Sequence, residues 1–182
     1  MNYATIKNCD IANGPGVRVS LFVSGCTHRC KGCFNEVAWD FGYGEPFTQE
    51  TVDTILGMLA PDYVQGLTLL GGEPFEPQNQ PAILDLLRQI KKKYPQKSIW
   101  AFSGYLFDKD ILAGRLGPWE ITKEYIGYLD VLVDGPFVEA KKDLSLRFRG
   151  SSNQRIIDVP ASLQKGEIVL WEDWQGQGKG IK

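Results

Sequence analysis

The stretch VRVSLFVSGCTHRCKGC, residues 17–33, decides the fold because it joins a strand directly to a cluster of cysteines. Val17–Val23 places apolar side chains at every second position, which is the period of a β-strand. Cys26, Cys30 and Cys33 follow at spacings of four and three, close enough to hold a single metal centre. In α/β proteins ligands bind at the carboxyl ends of strands, so the cysteines stand where a site is expected.

Short apolar strands alternate with amphipathic helices further along the chain. Apolar residues at helical spacing follow Thr48 and stop at Pro61, a second helix opens at Pro81, and a weaker helical pattern covers residues 108–126. This order is typical of right-handed βαβ units and predicts a mainly parallel sheet. The predicted strands are Leu67–Leu70, Ser98–Phe102 and Leu129–Val133, with short ones at Ile156–Ile157 and Glu167–Trp171.

Each strand of the predicted parallel set runs into a polar turn. The cysteine cluster follows the first strand, and Gly71–Pro74, Ser103–Tyr105 and Asp134–Pro136 follow the next three. Because the carboxyl ends of parallel strands meet at one edge of a sheet, we expect these four segments to converge there.

Length and composition indicate one globular domain. The 182 residues are 43% hydrophobic and 23% charged, and they contain no repeat. A closed eight-fold barrel takes about 250 residues, so a barrel of this length must be partial. We predict a single domain over residues 1–158, followed by a partly flexible C-terminal extension over residues 159–182.

Charge and hydropathy exclude several classes of partner. A net charge of -2 supplies no attraction to phosphate backbones, so we expect no nucleic acid. No run of 18 apolar residues is present, and the N-terminus lacks the apolar stretch of an export signal. The sequence therefore predicts a cytoplasmic protein with no membrane partner.

The number of clustered cysteines matters for the metal. A 4Fe-4S cluster normally takes four cysteines, so three would leave one iron open. Cys9 could instead supply a fourth sulfur, giving a structural zinc site or a closed electron-transfer cluster. Spacing alone leaves the open cluster, the zinc site and plain core cysteines as alternatives.

Several motifs together carry a family resemblance. The CxxxCxxC loop after the first strand, with Gly71–Pro74 after the second, resembles the radical S-adenosylmethionine superfamily. Within it, Asn13–Arg18 ahead of Leu21–Cys26 is similar to the glycyl-radical activating enzymes. Val133–Phe137, Arg149–Gln154 and the small size resemble the members of that family that serve anaerobic ribonucleoside-triphosphate reductase.

The resemblance implies an α/β fold of the partial, open βα-barrel type and a radical mechanism. Cys26, Cys30 and Cys33 would be both the metal ligands and the catalytic residues, each holding one iron of a 4Fe-4S cluster. The open iron would bind S-adenosylmethionine, whose reductive cleavage gives a 5'-deoxyadenosyl radical. The implied product is a glycyl radical on the large subunit of the reductase, with a reductant such as a flavodoxin as electron donor.

The resemblance also implies a set of contacts to S-adenosylmethionine. Glu73 would accept a charge-assisted hydrogen bond from the ammonium group of the cofactor, and its alternative is an exposed turn carboxylate. For Phe34 the alternative is ordinary core packing. The implied contact residues are Gly32, Cys33, Phe34, Gly71, Gly72, Glu73, Pro74, Ser103 and Tyr105.

Other functions stay open at this stage. The chain could act on another glycyl-radical enzyme or on a small molecule, or it could be a non-catalytic zinc or iron-sulfur module that uses Cys9. A further polar group could line the mouth where a partner enters or bind the cofactor carboxylate, or it could form a salt-bridged surface and a capped turn. Its members are Asp134, Arg147, Arg149, Asn153 and Gln154.

Overall fold

The structure, a computed structural model, describes residues 1–172, which fold around one mixed seven-stranded sheet. Four strands come directly from the apolar runs of the sequence, and Ser98–Phe102 has the bounds that the pattern predicts. The strands are β1 (Asn2–Asp10), β2 (Val17–Val23), β3 (Glu45–Pro46), β4 (Val64–Gly71), β5 (Ser98–Phe102), β6 (Val131–Asp134) and β7 (Arg155–Asp158).

The strand order across the sheet is β3-β1-β2-β4-β5-β6-β7. The central strands β2, β4, β5 and β6 pair in parallel, as predicted. The outer pairs are antiparallel: β1 lies against β2, β3 against β1, and β7 against β6. The fold is therefore α/β, and its parallel centre brings the carboxyl ends of four strands to one edge.

The helices follow the predicted pattern in two places and depart from it in a third. A backbone N–H of Thr48 donates to the Thr51 hydroxyl at the start of the first helix (3.2 Å), and Pro81 lies in the first turn of the second. The prediction of one helical stretch over residues 108–126 was wrong, because Gly114 and Gly117 take positive φ and interrupt the helix. The helices are α1 (Gln49–Leu59), α2 (Gln80–Lys93), α3 (Trp119–Gly127) and α4 (Val159–Lys165), with a single π-helical turn at Phe107–Ile111.

The two faces of the sheet bury different neighbours. Alternate residues of β5 show this, since Ile99 and Ala101 belong to the main core with the helices, whereas Trp100 and Phe102 point to the other face. On that second face Trp100 packs edge-on against Phe148 and Trp171, with ring centroids 5.5 and 5.0 Å apart. The helices therefore cover one face, and a loop and the C-terminal segment cover the other.

Several edge elements were not predicted. The apolar and polar residues of β1 do not alternate clearly, and most of them are exposed or half-buried, so no hydrophobic pattern predicts this strand. The strand predicted at Glu167–Trp171 is reduced to a single bridge between Leu170 and Ile157. The predicted flexibility of the extension concerns its glycine-rich tail, which lies in residues 173–182, outside the described residues.

No helix within residues 1–172 has the length and apolar character needed to cross a bilayer.

Arg18 is the largest charged side chain in the interior and joins three strands on the second face. It is fully buried at the start of β2 and donates to Thr68 Oγ1 on β4 (2.7 Å) and to Ser98 Oγ on β5 (2.9 Å). The guanidinium also donates to the main-chain oxygens of Leu67 and Ser98. Burial lowers its pKa to about 10, which leaves it cationic at neutral pH.

Arg18→Ala should lower the free energy of unfolding by about 3 kcal/mol or more, because it leaves a cavity and removes the donor to four oxygen acceptors. Denaturant unfolding of the apoprotein measures this. Arg88→Ala is the matched control, since Arg88 is half-exposed and pairs with Glu124 on the surface, so its loss should change stability little. Equal effects of the two variants would contradict the structural role of Arg18.

Candidate functional site

A cavity of about 520 Å³ opens at the carboxyl edge of the parallel strands. Its walls come from the loop after β2, the turns after β4 and β5, and the segment 137–150 on the second face of the sheet. Cys26, Cys30 and Cys33 all line it, and each is half-buried. Three of the four segments predicted to converge line the cavity, whereas Asp134–Pro136 does not and only Phe137, directly after it, does. The volume suits a small organic ligand.

The cysteine loop is held by its own backbone geometry. The Cys33 N–H donates to the Cys30 carbonyl (3.1 Å), and Arg29 and Gly32 take left-handed conformations with φ of 46° and 73°.

Burial, together with the charges of nearby carboxylates, raises the pKa of Cys26 to about 11. Iron would therefore have to displace a proton from this thiol on binding.

The thiols fit a cluster better than a single ion. Among residues 1–172, no three His, Cys, Asp or Glu side chains are arranged around one ion position. In an iron-sulfur cluster each cysteine binds a different iron, so three cysteines of one loop need not point at a common centre. Three thiols lining one cavity are the donor set that such a cluster requires.

Cys9 lies at the opposite edge of the sheet. Its neighbour Asp10 pairs with Arg18 at the start of β2, whereas Cys26 comes after the end of that strand. Five residues of strand separate Arg18 from Val23, a distance of roughly 17 Å. Cys9 is exposed and contacts the Tyr63 hydroxyl (4.0 Å). The alternative in which Cys9 completes the site is therefore wrong.

Glu73 is buried and accepts four hydrogen bonds at the end of β4. One oxygen accepts from the Phe75 N–H (2.8 Å) and the Ser103 hydroxyl (2.9 Å). The other accepts from the Gly104 N–H (2.7 Å) and contacts His28 Nε2 (3.1 Å). The alternative of an exposed turn carboxylate is wrong, since Glu73 is 1% exposed and joins the cysteine loop to two strand ends.

His28 connects the cysteine loop to the rest of the site. Its ring contacts Glu73 and packs against the ring of Tyr105, with centroids 4.3 Å apart. Burial alone would lower the pKa of His28, but the hydrogen bond and charge of Glu73 outweigh it, and the pKa lies above its usual value. Sequence reasoning did not predict this contact with Glu73, because the two residues are 45 positions apart.

Glu76 holds the cysteine loop in place through hydrogen bonds to Thr27. One carboxylate oxygen accepts from both the N–H of Thr27 (2.7 Å) and its hydroxyl (2.6 Å), directly after Cys26. Glu76 is 4% exposed, so the accepting side of both part-buried bonds lies in the interior. The sequence analysis missed this residue, although it lies only three positions beyond Glu73.

The two glycines before Glu73 bring main chains into close contact. Gly71 has a φ of +108°, which a side chain would strain. A Cβ on Gly72 would lie 2.5 Å from the Gly25 carbonyl and 2.9 Å from that of Ala38. The Gly72 N–H donates to Val23 and the Glu73 N–H to Gly25, so the turn is fastened to the end of β2.

Most residues predicted to contact the cofactor line the cavity, but two do not. Phe34 is 84% exposed at the mouth, so its alternative as a core residue is wrong. Tyr105 lies behind His28, with its hydroxyl 3.4 Å from Thr27, and Pro74 is buried; neither lines the cavity. The predicted contact residues that line it are Gly32, Cys33, Phe34, Gly71, Gly72, Glu73 and Ser103.

The polar group after β6 forms turns and a buried ion pair. Asp134 is fully buried, pairs with Arg155 and accepts from the Phe107 N–H. Gln154 accepts from two main-chain N–H groups, at Gly150 and Ser151, and donates to the Gly135 carbonyl.

Two of the polar residues also reach the cavity. Arg149 donates to the Gln154 carbonyl, and both residues line the wall. Asn153 donates to the Pro136 carbonyl at the same turn. The capped turn that the sequence suggested as one alternative therefore forms part of the cavity wall.

Comparisons with known proteins point in one direction. A family model described as "4Fe-4S single cluster domain" matches residues 12–157. A protein of Escherichia coli is 44% identical over 156 residues, covering 85% of this chain and 96% of its own. Relatives from Enterobacteria phage T4 and Vibrio cholerae are each 42% identical, over 86% of this chain and 93% and 97% of theirs. All three are named anaerobic ribonucleoside-triphosphate reductase-activating protein.

Gly72→Ala should destabilise the fold and disorder the turn at the cavity floor, because the new methyl group would overlap two carbonyl oxygens. We expect a loss of about 1–3 kcal/mol in denaturant unfolding. Gly57→Ala on α1 is the control, since a Cβ there meets nothing within 4 Å and should stabilise the helix slightly. Tolerance of both substitutions would contradict the close packing at Gly72.

Glu76→Ala should weaken iron binding by about tenfold, because the cysteine loop loses two part-buried hydrogen bonds that position it. Iron retained per protein after anaerobic reconstitution and dilution against a chelator measures this. Glu76→Gln keeps an oxygen acceptor for Thr27 and should retain most of the iron. Identical loss in both variants would mean that the carboxylate charge, rather than the tether, matters.

Proposed function

Since the chain belongs to the family of anaerobic ribonucleoside-triphosphate reductase-activating proteins with a 4Fe-4S single cluster domain, we propose that it activates such a reductase by radical S-adenosylmethionine chemistry. The observation that carries this proposal is the convergence of the three loop cysteines and the Glu73 network on one cavity. The relatives' names favour the reductase over another glycyl-radical enzyme or a small molecule as the target.

Cys26, Cys30 and Cys33 would hold the 4Fe-4S cluster, and the cavity beside them would hold S-adenosylmethionine. When bound, these groups would supply the one-electron cleavage of S-adenosylmethionine, whose radical product would take a hydrogen atom from a glycine of the partner protein. The chain's own task is to position both groups and to keep water and other reactants away from them.

Glu73 is suited to receive the ammonium group of the cofactor. The N–H groups of Phe75 and Gly104 and the hydroxyl of Ser103 fix its carboxylate. The His28 contact is the longest of the four at 3.1 Å, so it is the one that an incoming ammonium group would replace. Gly71 and Gly72 leave their main chain open to the ligand on the cavity side.

We assign the sheet to the partial, open βα-barrel type. The four parallel strands carry their helices on one face, and the cavity lies on the other, as expected for the inside of an incomplete barrel. The remaining side is covered by the segment 137–150 and by a bound partner.

The same proposal includes a reductant such as a flavodoxin as electron donor. It also includes a cytoplasmic location, and the four unpaired cysteines support that location.

Anaerobically reconstituted protein should take up iron and sulfide and give a reduced cluster signal in electron paramagnetic resonance that changes when S-adenosylmethionine is added. Replacing Cys26, Cys30 or Cys33 by Ala should abolish the signal, because each removes a ligand to one iron. Cys9→Ala is the matched control and should leave it unchanged, given the position of Cys9 across the sheet.

Incubation of the loaded protein with the large reductase subunit should then produce a glycyl radical signal. A cluster that is indifferent to S-adenosylmethionine, or cofactor turnover without any radical on the reductase, would refute the proposed function.

A further inference from the structure

The two most exposed large apolar side chains lie at the cavity mouth. In residues 1–172, Leu144 is 90% exposed and Phe34 84%, more than any other large hydrophobic side chain. Both line the cavity. Single exposed apolar residues are ordinary, but two at one opening mark an interaction site.

The two segments that flank the opening are cationic although the chain as a whole is not. The cysteine loop 26–34 and the segment 137–150 together contain six Lys and Arg residues against two Asp and Glu, a net charge of +4 in a chain of -2. The cations of these segments are Arg29, Lys31, Lys141, Lys142, Arg147 and Arg149. A surface of this kind attracts an acidic partner.

The segment 137–150 is anchored at several points, so Leu144 is presented from a formed wall. Phe148 packs against Trp100 (5.5 Å), and the Val138 N–H donates to the Ser151 hydroxyl (3.2 Å). On the outside, Lys31 pairs with Glu139 (3.2 Å), which connects the segment to the cysteine loop.

We propose that this rim, formed by Phe34 and Leu144 with the cations of residues 26–34 and 137–150, is the docking surface for an acidic, apolar segment of the reductase. The inference rests on the proposed function. Transfer of a hydrogen atom requires contact, so the partner's polypeptide must reach the cavity, whereas an electron donor can act across a distance. The cavity mouth is therefore the place where the polypeptide that carries the glycine binds.

Charge argues against a second copy of this chain as the occupant. A symmetric contact would place the same cationic rim opposite itself, and like charges across an interface are costly. An acidic partner instead gains attraction from the cations and buries the two apolar side chains.

Leu144→Asp tests the surface with intact, cluster-loaded protein and the large reductase subunit. The substitution removes an apolar contact and brings an acid against an acidic partner, so affinity measured by calorimetry should fall more than tenfold. Leu163→Asp is the matched control on α4, where the leucine is 43% exposed and away from the cavity, and it should bind as the wild type does. Iron content and circular dichroism report that both variants fold and load.

Wild-type affinity should also fall as salt is raised, and Lys141→Glu should flatten that dependence. The docking proposal is overturned if Leu144→Asp binds the large reductase subunit with wild-type affinity. It is also overturned if the substitution changes only self-association or reduction by the electron donor. Failure of the wild type to make a glycyl radical on the reductase overturns the proposed function instead. A radical formed equally well by wild type and Leu144→Asp leaves that function standing and removes only the docking surface.

Discussion

The buried carboxylate of Glu73 is the constraint on which the site depends. A carboxylate inside a protein is stable only when its oxygens are satisfied, and here four donors do so from three segments. Those segments are the cysteine loop, the turn after β4 and the end of β5. Satisfying one charge therefore places the three strand ends at fixed positions around the cavity, before any cofactor is bound.

The division of the sheet into two faces explains why the site can be both rigid and open. The face toward α1, α2 and α3 carries a continuous aliphatic core that fixes the strands. The other face is closed by the cation of Arg18, an aromatic cluster around Trp100 and the segment 137–150. This second layer is thin and leaves the cavity accessible from the side.

The parallel centre and the three cysteines could be predicted because they depend on local pattern. Apolar alternation, prolines at helix boundaries and the cysteine spacing are all visible within short windows, and Ser98–Phe102 was placed correctly in this way. Glu76 and the partner of His28 were not predicted, since their roles arise from contacts 49 and 45 residues apart. β1 was missed because an exposed edge strand needs no hydrophobic periodicity.

The exposed side of β1 has a consequence for how the sheet ends. β3 pairs with only Asn2 and Tyr3 and contains Pro46, so within residues 1–172 most of the outer edge of β1 has no strand beside it. An open edge invites another chain to add a strand, which is a common route to aggregation. Here two irregularities interrupt the register of β1 with β2, and Cys9 takes a left-handed backbone with a φ of 57°. The edge is bent where a new strand would have to lie flat, so the sheet resists growth in that direction.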